Sequence, residues 1–202
     1  MQYVMRNQRQ IWNEQVLKAN LTTLIPIEEE REWWRVWSGD EPLSEAPYLT
    51  FTVSGDGPFP DNYWFSSVLH LFSDRLVNIL RQFNIKFECF SVKLVDRESG
   101  HDIASKYFAF RLLATRQCID YDHSIIEEGL VPEIWKLALI PECQESAEPM
   151  FRLERFQYFM IVNSDLKAAL EDGNITGFEF TPVDEFQEGM KVWEARNSKK
   201  AS

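Results

Sequence analysis

The chain has little of what membrane, secreted and nucleic-acid-binding proteins need. No apolar run approaches the ~20 residues of a membrane-spanning helix. The opening stretch, MQYVMRNQRQIWNEQ, has no apolar h-region. No secretory signal is therefore expected, and the expected location is the cytoplasm. Cysteine is scarce. Cys89, Cys118 and Cys143 are an odd number without short metal-type spacing, and they read as reduced thiols of a cytosolic protein. Basic charge is short as well: 21 Lys and Arg stand against 32 Asp and Glu, a net charge of −11. Such a chain repels DNA, RNA and anionic lipid at long range and attracts basic partners. There is no GxGxxG, phosphate loop or nucleophile elbow, so no cofactor is expected.

What the chain does have is apolar and aromatic mass. It is 45% hydrophobic over 202 residues, with seven Trp and fifteen Phe, enough for a large core. The length fits one domain over 1–202, with an N-terminal extension over 1–44 and a C-terminal tail over 186–202. The clearest stretch is Met150–Val183. Phe156–Val162 alternates with period 2 and predicts a deep strand. Ser164 is placed to cap a helix over Asp165–Asp172. Gly173 is expected to end that helix with positive φ. A second strand then covers Gly177–Thr181.

An earlier segment echoes this one. FSDRLVNILRQFNIKFECF and NSDLKAALEDGNITGFEF both run Ser-Asp, helix, Asn-Ile, aromatic strand. They are either an internal repeat or one capping solution used twice. The pattern predicts an α+β fold, with a mostly antiparallel sheet holding Lys86–Val95, Tyr107–Ile119, Phe156–Val162 and Gly177–Thr181. Helices Asp74–Phe83 and Asp165–Asp172 should lie against it, and DRESG at 96–100 should turn a hairpin. Gln2–Met5 reads as a short edge strand, and Ile11–Leu21 as either helical or irregular. Glu28–Trp37 is a helical candidate with Trp33 or Trp34 stacked on Trp37. These tryptophans pack on the core or anchor a partner.

Residues 120–148 differ from the rest. They carry eight acids (Asp120, Asp122, Glu127, Glu128, Glu133, Glu142, Glu145, Glu148) and one base, Lys136. Asp120, Asp122 and His123 have ligand chemistry. No third anchoring motif accompanies them, and His70 and His101 lie in other contexts. They read as a polar strand end, so no catalytic residue and no metal ligand is assigned. Cys118 has no activating base nearby and is expected to be buried and inert.

The loop SGDGPFPDNYW, the helix FSDRLVNIL, the strand IKFECFSVKLVD and FRLERFQYFMIVNSDLKAALEDGNITGFEFTPV together resemble the immunity-protein family of bacterial polymorphic toxin systems, over about residues 45–184. The specific elements are Phe151-Arg152, Ser164-Asp165 and Thr176-Gly177-Phe178-Glu179-Phe180. The tryptophan-rich N-terminal region lies outside the resemblance. The resemblance implies a non-enzymatic antitoxin that binds a cognate toxin domain one to one and occludes it. An acidic inhibitor suits a toxin with a basic cleft. The candidate toxin-binding residues are Asp120, Asp122, Glu127, Glu128 and Glu133, with Trp33, Trp34 and Trp37. Two rival readings stand beside it: a small enzyme that reverses a toxin's modification through Asp120, Asp122 and His123, and a ligand-binding scaffold with an aromatic pocket.

Overall fold

The structure is a computed structural model that describes residues 1–7, 20–21, 39–43, 49–53, 59–64, 69–129, 132–156, 158–187 and 190. The predicted α+β architecture is present. In chain order, the first half contributes β1 (Gln2–Asn7), β2 (Asn20–Leu21), β3 (Leu49–Val53), β4 (Asn62–Trp64), β5 (His70–Ser73), helix α1 (Asp74–Leu80), β6 (Phe87–Asp96) and β7 (Tyr107–Leu112). Then follow β8 (Thr115–Arg116), β9 (Ile125–Glu127), β10 (Glu133–Lys136), the short helix α2 (Pro141–Gln144), β11 (Met150–Leu153), β12 (Met160–Asn163), α3 (Ser164–Asp172) and β13 (Phe178–Pro182).

Three sheets are built from these strands. One has the order β2-β3-β6-β7-β5-β4, another β13-β1-β12-β11-β8, and β9 and β10 form a two-stranded ribbon. Pairing is mostly antiparallel; β3–β6 and β8–β11 are parallel. The two echoing segments have the same topology. In β5-α1-β6 and in β12-α3-β13 the two strands run parallel, with one antiparallel strand, β7 or β1, inserted between them. Both are therefore the same split β-α-β unit. The large core holds Phe72, Leu76, Phe110, Phe151, Ile161, Leu166 and Leu170 between the sheets and helices. A second cluster, with Leu49, Phe51, Leu71, Leu94 and Ala109, lies on the other face of the six-stranded sheet. Alternation along β7 decides the division: Phe108, Phe110 and Leu112 face the large core, Tyr107 and Ala109 the small one.

Four local expectations are corrected. β1 is not an edge strand; it sits between β12 and β13, with Val4 opposite both Ile161 and Thr181. The run Tyr107–Ile119 is two strands in two sheets, because the chain leaves β7 at Leu113 and joins β11 at Thr115. The strand expected over Phe156–Val162 begins only at Met160, since turn bonds from Phe156 N to Leu153 O and from Phe159 N to Phe156 O fold Phe156 and Phe159 inward. Gly173 has φ −72°, and the left-handed position falls on Asn174 (φ 50°). The smallness of glycine makes room at 173: a Cβ there would lie 2.6 Å from Ile79 Cδ1 on α1, which would have to swing aside. The turn at 96–100 forms as expected, with Asp96 Oδ1 accepting from Ser99 N (2.7 Å) and Gly100 at φ 69°.

The cap of α3 is also displaced. Asn163 Oδ1, not the Ser164 hydroxyl, accepts from Leu166 N at 2.9 Å. In α1, Ser73 Oγ accepts from Leu76 N at 3.2 Å. In both units the cap stands three residues before the first buried leucine, and the strand end sets that register. Asn163→Ala should lower stability by about 1 kcal/mol, whereas Ser164→Ala should lie within about 0.5 kcal/mol of the parent. Denaturant midpoints in the reverse order would return the cap to Ser164.

The two units are latched at β4. Asp61 is buried and accepts from Ser73 Oγ, from the Arg75 guanidinium and from Thr176 N and Oγ1. Asn62 Nδ2 donates to Gly177 O at 3.1 Å, and its Oδ1 meets His70 Nδ1 at 3.1 Å. His70 therefore carries its proton on Nδ1. Burial pushes its pKa down to about 4. The folded value lies below the unfolded ~6.5, so the neutral ring's contribution is complete above pH 6.5 and is lost as pH falls towards 4. We expect about 3 kcal/mol of stability to disappear across that window. His70→Gln, which cannot take the proton, should flatten the profile; an unchanged slope would assign it to other groups.

Two arginines tie the segment 39–43 to both sheets. Arg111 on β7 donates to Gly39 O (2.9 Å), Glu41 O (2.6 Å) and Glu88 Oε2 (2.7 Å). Arg152 on β11 donates to the same Gly39 O (2.6 Å), to Asp40 Oδ1 (2.8 Å) and to Thr115 Oγ1 (3.0 Å). Their exposures are 2% and 3%.

Candidate functional site

The acidic segment forms an excursion from the end of β8. Its base is closed by backbone bonds from Asp120 N to Ala138 O and from Ile140 N to Cys118 O, both 2.9 Å. Cys118 and Cys143 are joined there as a disulfide, with Cα atoms 5.7 Å apart. This corrects the expectation of three free thiols. The pairing is made by the Ile119–Leu139 bridge, which no sequence spacing reveals. Cys89 remains a half-buried thiol.

Apolar residues hold the excursion down. Ile134, Leu137 and Leu139 are buried in the large core. The acids point away. Asp122, Glu128 and Glu133 are exposed, and Glu127 is half-buried, accepting from Trp135 Nε1 at 3.1 Å. Glu127 stands directly opposite Glu133 across the β9–β10 ribbon. Arginines outside the segment hold two of the acids: Arg155 forks onto Glu128, and Arg116 Nε reaches Glu148 at 2.8 Å.

The cluster Asp120, Asp122 and His123 forms a self-capped turn. Asp120 Oδ1 accepts from the backbone N–H of Asp122 and His123, and its Oδ2 meets His123 Nδ1 at 2.8 Å. The His123 side chain, followed by these backbone bonds, holds the Asp120 carboxyl below the usual carboxylate range. Among the described residues, no group of three or more His, Cys, Asp or Glu side chains is placed to hold a metal ion. Trp33, Trp34 and Trp37 lie outside the described residues.

Three further residues join the acidic face that sequence spacing did not indicate. Tyr121 is 58% exposed and Tyr158 39%. Arg155 is bonded to Glu128 and lies against Tyr121, and both hold its guanidinium above the usual arginine range. Tyr158 OH donates to Pro132 O at 3.2 Å. Exposed Tyr and Arg inside a charged rim match the residue types that carry most binding energy at interfaces. The signal for Tyr121 was its place between Asp120 and Asp122. For Arg155 and Tyr158 it exists only in the folded chain.

A layered α+β scaffold with an acidic, aromatic-studded face is the build of a protein-binding module. The chain belongs to the immunity protein family (Imm11), whose model matches residues 2–185. Membership gives it an immunity role, with a cognate toxin protein as the binding partner. The match begins at the first residue of β1, so residues 2–44 are covered too, beyond the reach of the sequence resemblance. No curated protein matches the chain.

Proposed function

We propose that this protein neutralises a toxin of a bacterial polymorphic system by direct occlusion, one molecule to one toxin, without chemistry of its own. The acidic face over 120–148, with Tyr121, Arg155 and Tyr158 inside it, would meet a basic active-site cleft. The observation that carries this reading is the register of the β9–β10 ribbon. Like charges directly opposite destabilise a strand pair, yet Glu127 faces Glu133. A basic partner turns that repulsion into attraction. The cytoplasm is the proposed place of the encounter. There thiols are kept reduced, so Cys118 and Cys143 would be unpaired and the backbone bonds at 118–140 would be left to close the base of the excursion.

The test has two arms. Protection should be stoichiometric, with substoichiometric protein leaving the excess toxin active. The association rate should fall steeply as salt rises, since exposed charges act over about 8 Å at physiological ionic strength. Reversing Glu127, Glu128 and Glu133 to Lys should slow association by roughly tenfold or more and change dissociation less. A rate indifferent to both would move the interface, with Trp33, Trp34 and Trp37 next to test. The reversal-enzyme reading makes the opposite prediction: trace protein would rescue many toxin turnovers, and alanine at Asp120, Asp122 and His123 would abolish rescue while binding remained.

A further inference from the structure

A groove of about 460 Å³ borders the acidic excursion on the side of β1. Its walls are the start of β1, the chain at 136–138, the end of α2 and the 3-10 turn Val183–Glu185. Gln2 lines it and is only 5% exposed. Gln2 Nε2 donates to Ser146 O at 2.8 Å, but its Oε1 is buried with no partner. Turning the amide over does not relieve this. It would set Oε1 against the Ser146 carbonyl and strand the NH2 instead. A buried acceptor without a donor loses its hydration and gains nothing in return. Such groups are few in native structures and call for a cause. Leu137 and Val183 give the groove an apolar floor, while Glu145 and Asp184 stand exposed on it; among the described residues Lys136 is the one Lys or Arg side chain that lines it, and Met1 closes one end.

We infer that this groove is the seat of an arginine side chain of the toxin. The inference rests on the occlusion reading and specifies it. An arginine stem lies on apolar surface while its head stays polar. A guanidinium offers five donors in a planar fork, so one head serves the Gln2 amide oxygen and a carboxylate of Glu145 or Asp184 together. An ammonium is a point charge, and a carboxylate would bring another acceptor to an orphaned one. The groove shares Lys136–Ala138 and Gln144–Glu145 with the acidic excursion, so a toxin lying on one reaches the other.

The test uses the full chain and the toxin domain encoded beside it. Gln2→Met keeps the side-chain length and removes the orphaned oxygen. It should weaken toxin binding about tenfold, with an unfolding midpoint close to the parent's, because removal of the orphaned oxygen offsets loss of the Nε2–Ser146 O bond. Glu145→Gln with Asp184→Asn changes exposed groups only and should weaken binding in the same direction. Alanine replacement of each toxin arginine, paired with Gln2→Met, should find one arginine whose loss is no longer felt in the variant. Parent-like affinity in both groove variants would overturn the inference while leaving occlusion standing, as would additive losses with every toxin arginine. Failure of the parent to bind the toxin would overturn the occlusion reading and this one with it.

Discussion

Arg111→Ala is expected to cost about 4 kcal/mol, lowering the thermal midpoint of a chain this size by roughly 10 °C. The side chain is 2% exposed and lies against Glu88, whose own side chain is 17% exposed. Truncation removes the charged donor of that largely buried carboxylate, which keeps only Leu43 N, and the donor of the Glu41 carbonyl, while Gly39 O is still held by Arg152. The loss comes from desolvated groups left behind, not from the Coulomb energy of the pair. The double replacement Arg111→Met with Glu88→Leu should therefore recover part of the stability, since it leaves no orphaned charge. A single variant within about 1 kcal/mol of the parent would mean that the segment 39–43 rearranges to satisfy itself.

Gly177→Ala should be as damaging, for a different reason. Gly177 has φ +93°, which side chains rarely adopt, and a Cβ would stand 2.6 Å from Asn62 O. The neighbour is backbone, so it cannot swing away. Strain of about 1–3 kcal/mol in the dihedral adds to overpacking of similar size. Relief requires β4 to lift from the 174–177 loop, breaking the bonds from Asn62 N to Thr176 O and from Asn62 Nδ2 to Gly177 O. Gly173→Ala is the comparison, because its Cβ would meet Ile79 Cδ1, a flexible side-chain end. Calorimetry should show the 177 variant well below the 173 variant. Equal midpoints would show that the latch yields freely.

Much of the scaffold was legible in the sequence because local signals agreed with each other. Period-2 alternation in β6 and β7, polar caps before α1 and α3, and the Asp96 turn each draw on neighbours a few residues apart. The α+β class and the likeness of the two Ser-Asp segments followed from them. What sequence did not show was decided at long range. Leu113–Thr115 reads as continuous strand, yet the chain changes sheets there. Gly173 reads as a positive-φ stop, yet its smallness serves a helix packed from 94 residues earlier, at Ile79. The acidic stretch was plain from composition. Its register, its Cys118–Cys143 tie and the placing of Tyr121, Arg155 and Tyr158 needed the fold. The orphaned Gln2 oxygen has no sequence signature, since glutamine in a strand is ordinary until its surroundings are known.

The place of β1 has a consequence for timing. Its two neighbours are β12 and β13, with Tyr3 opposite Val162 and Pro182. On the ribosome β1 has no sheet neighbour until β12 and β13 have been made. Closing so large a loop is entropically costly and slow. Products that stop short of β12 would leave β1 without either of its sheet neighbours. The five-stranded sheet is therefore complete only once β13 has reached β1.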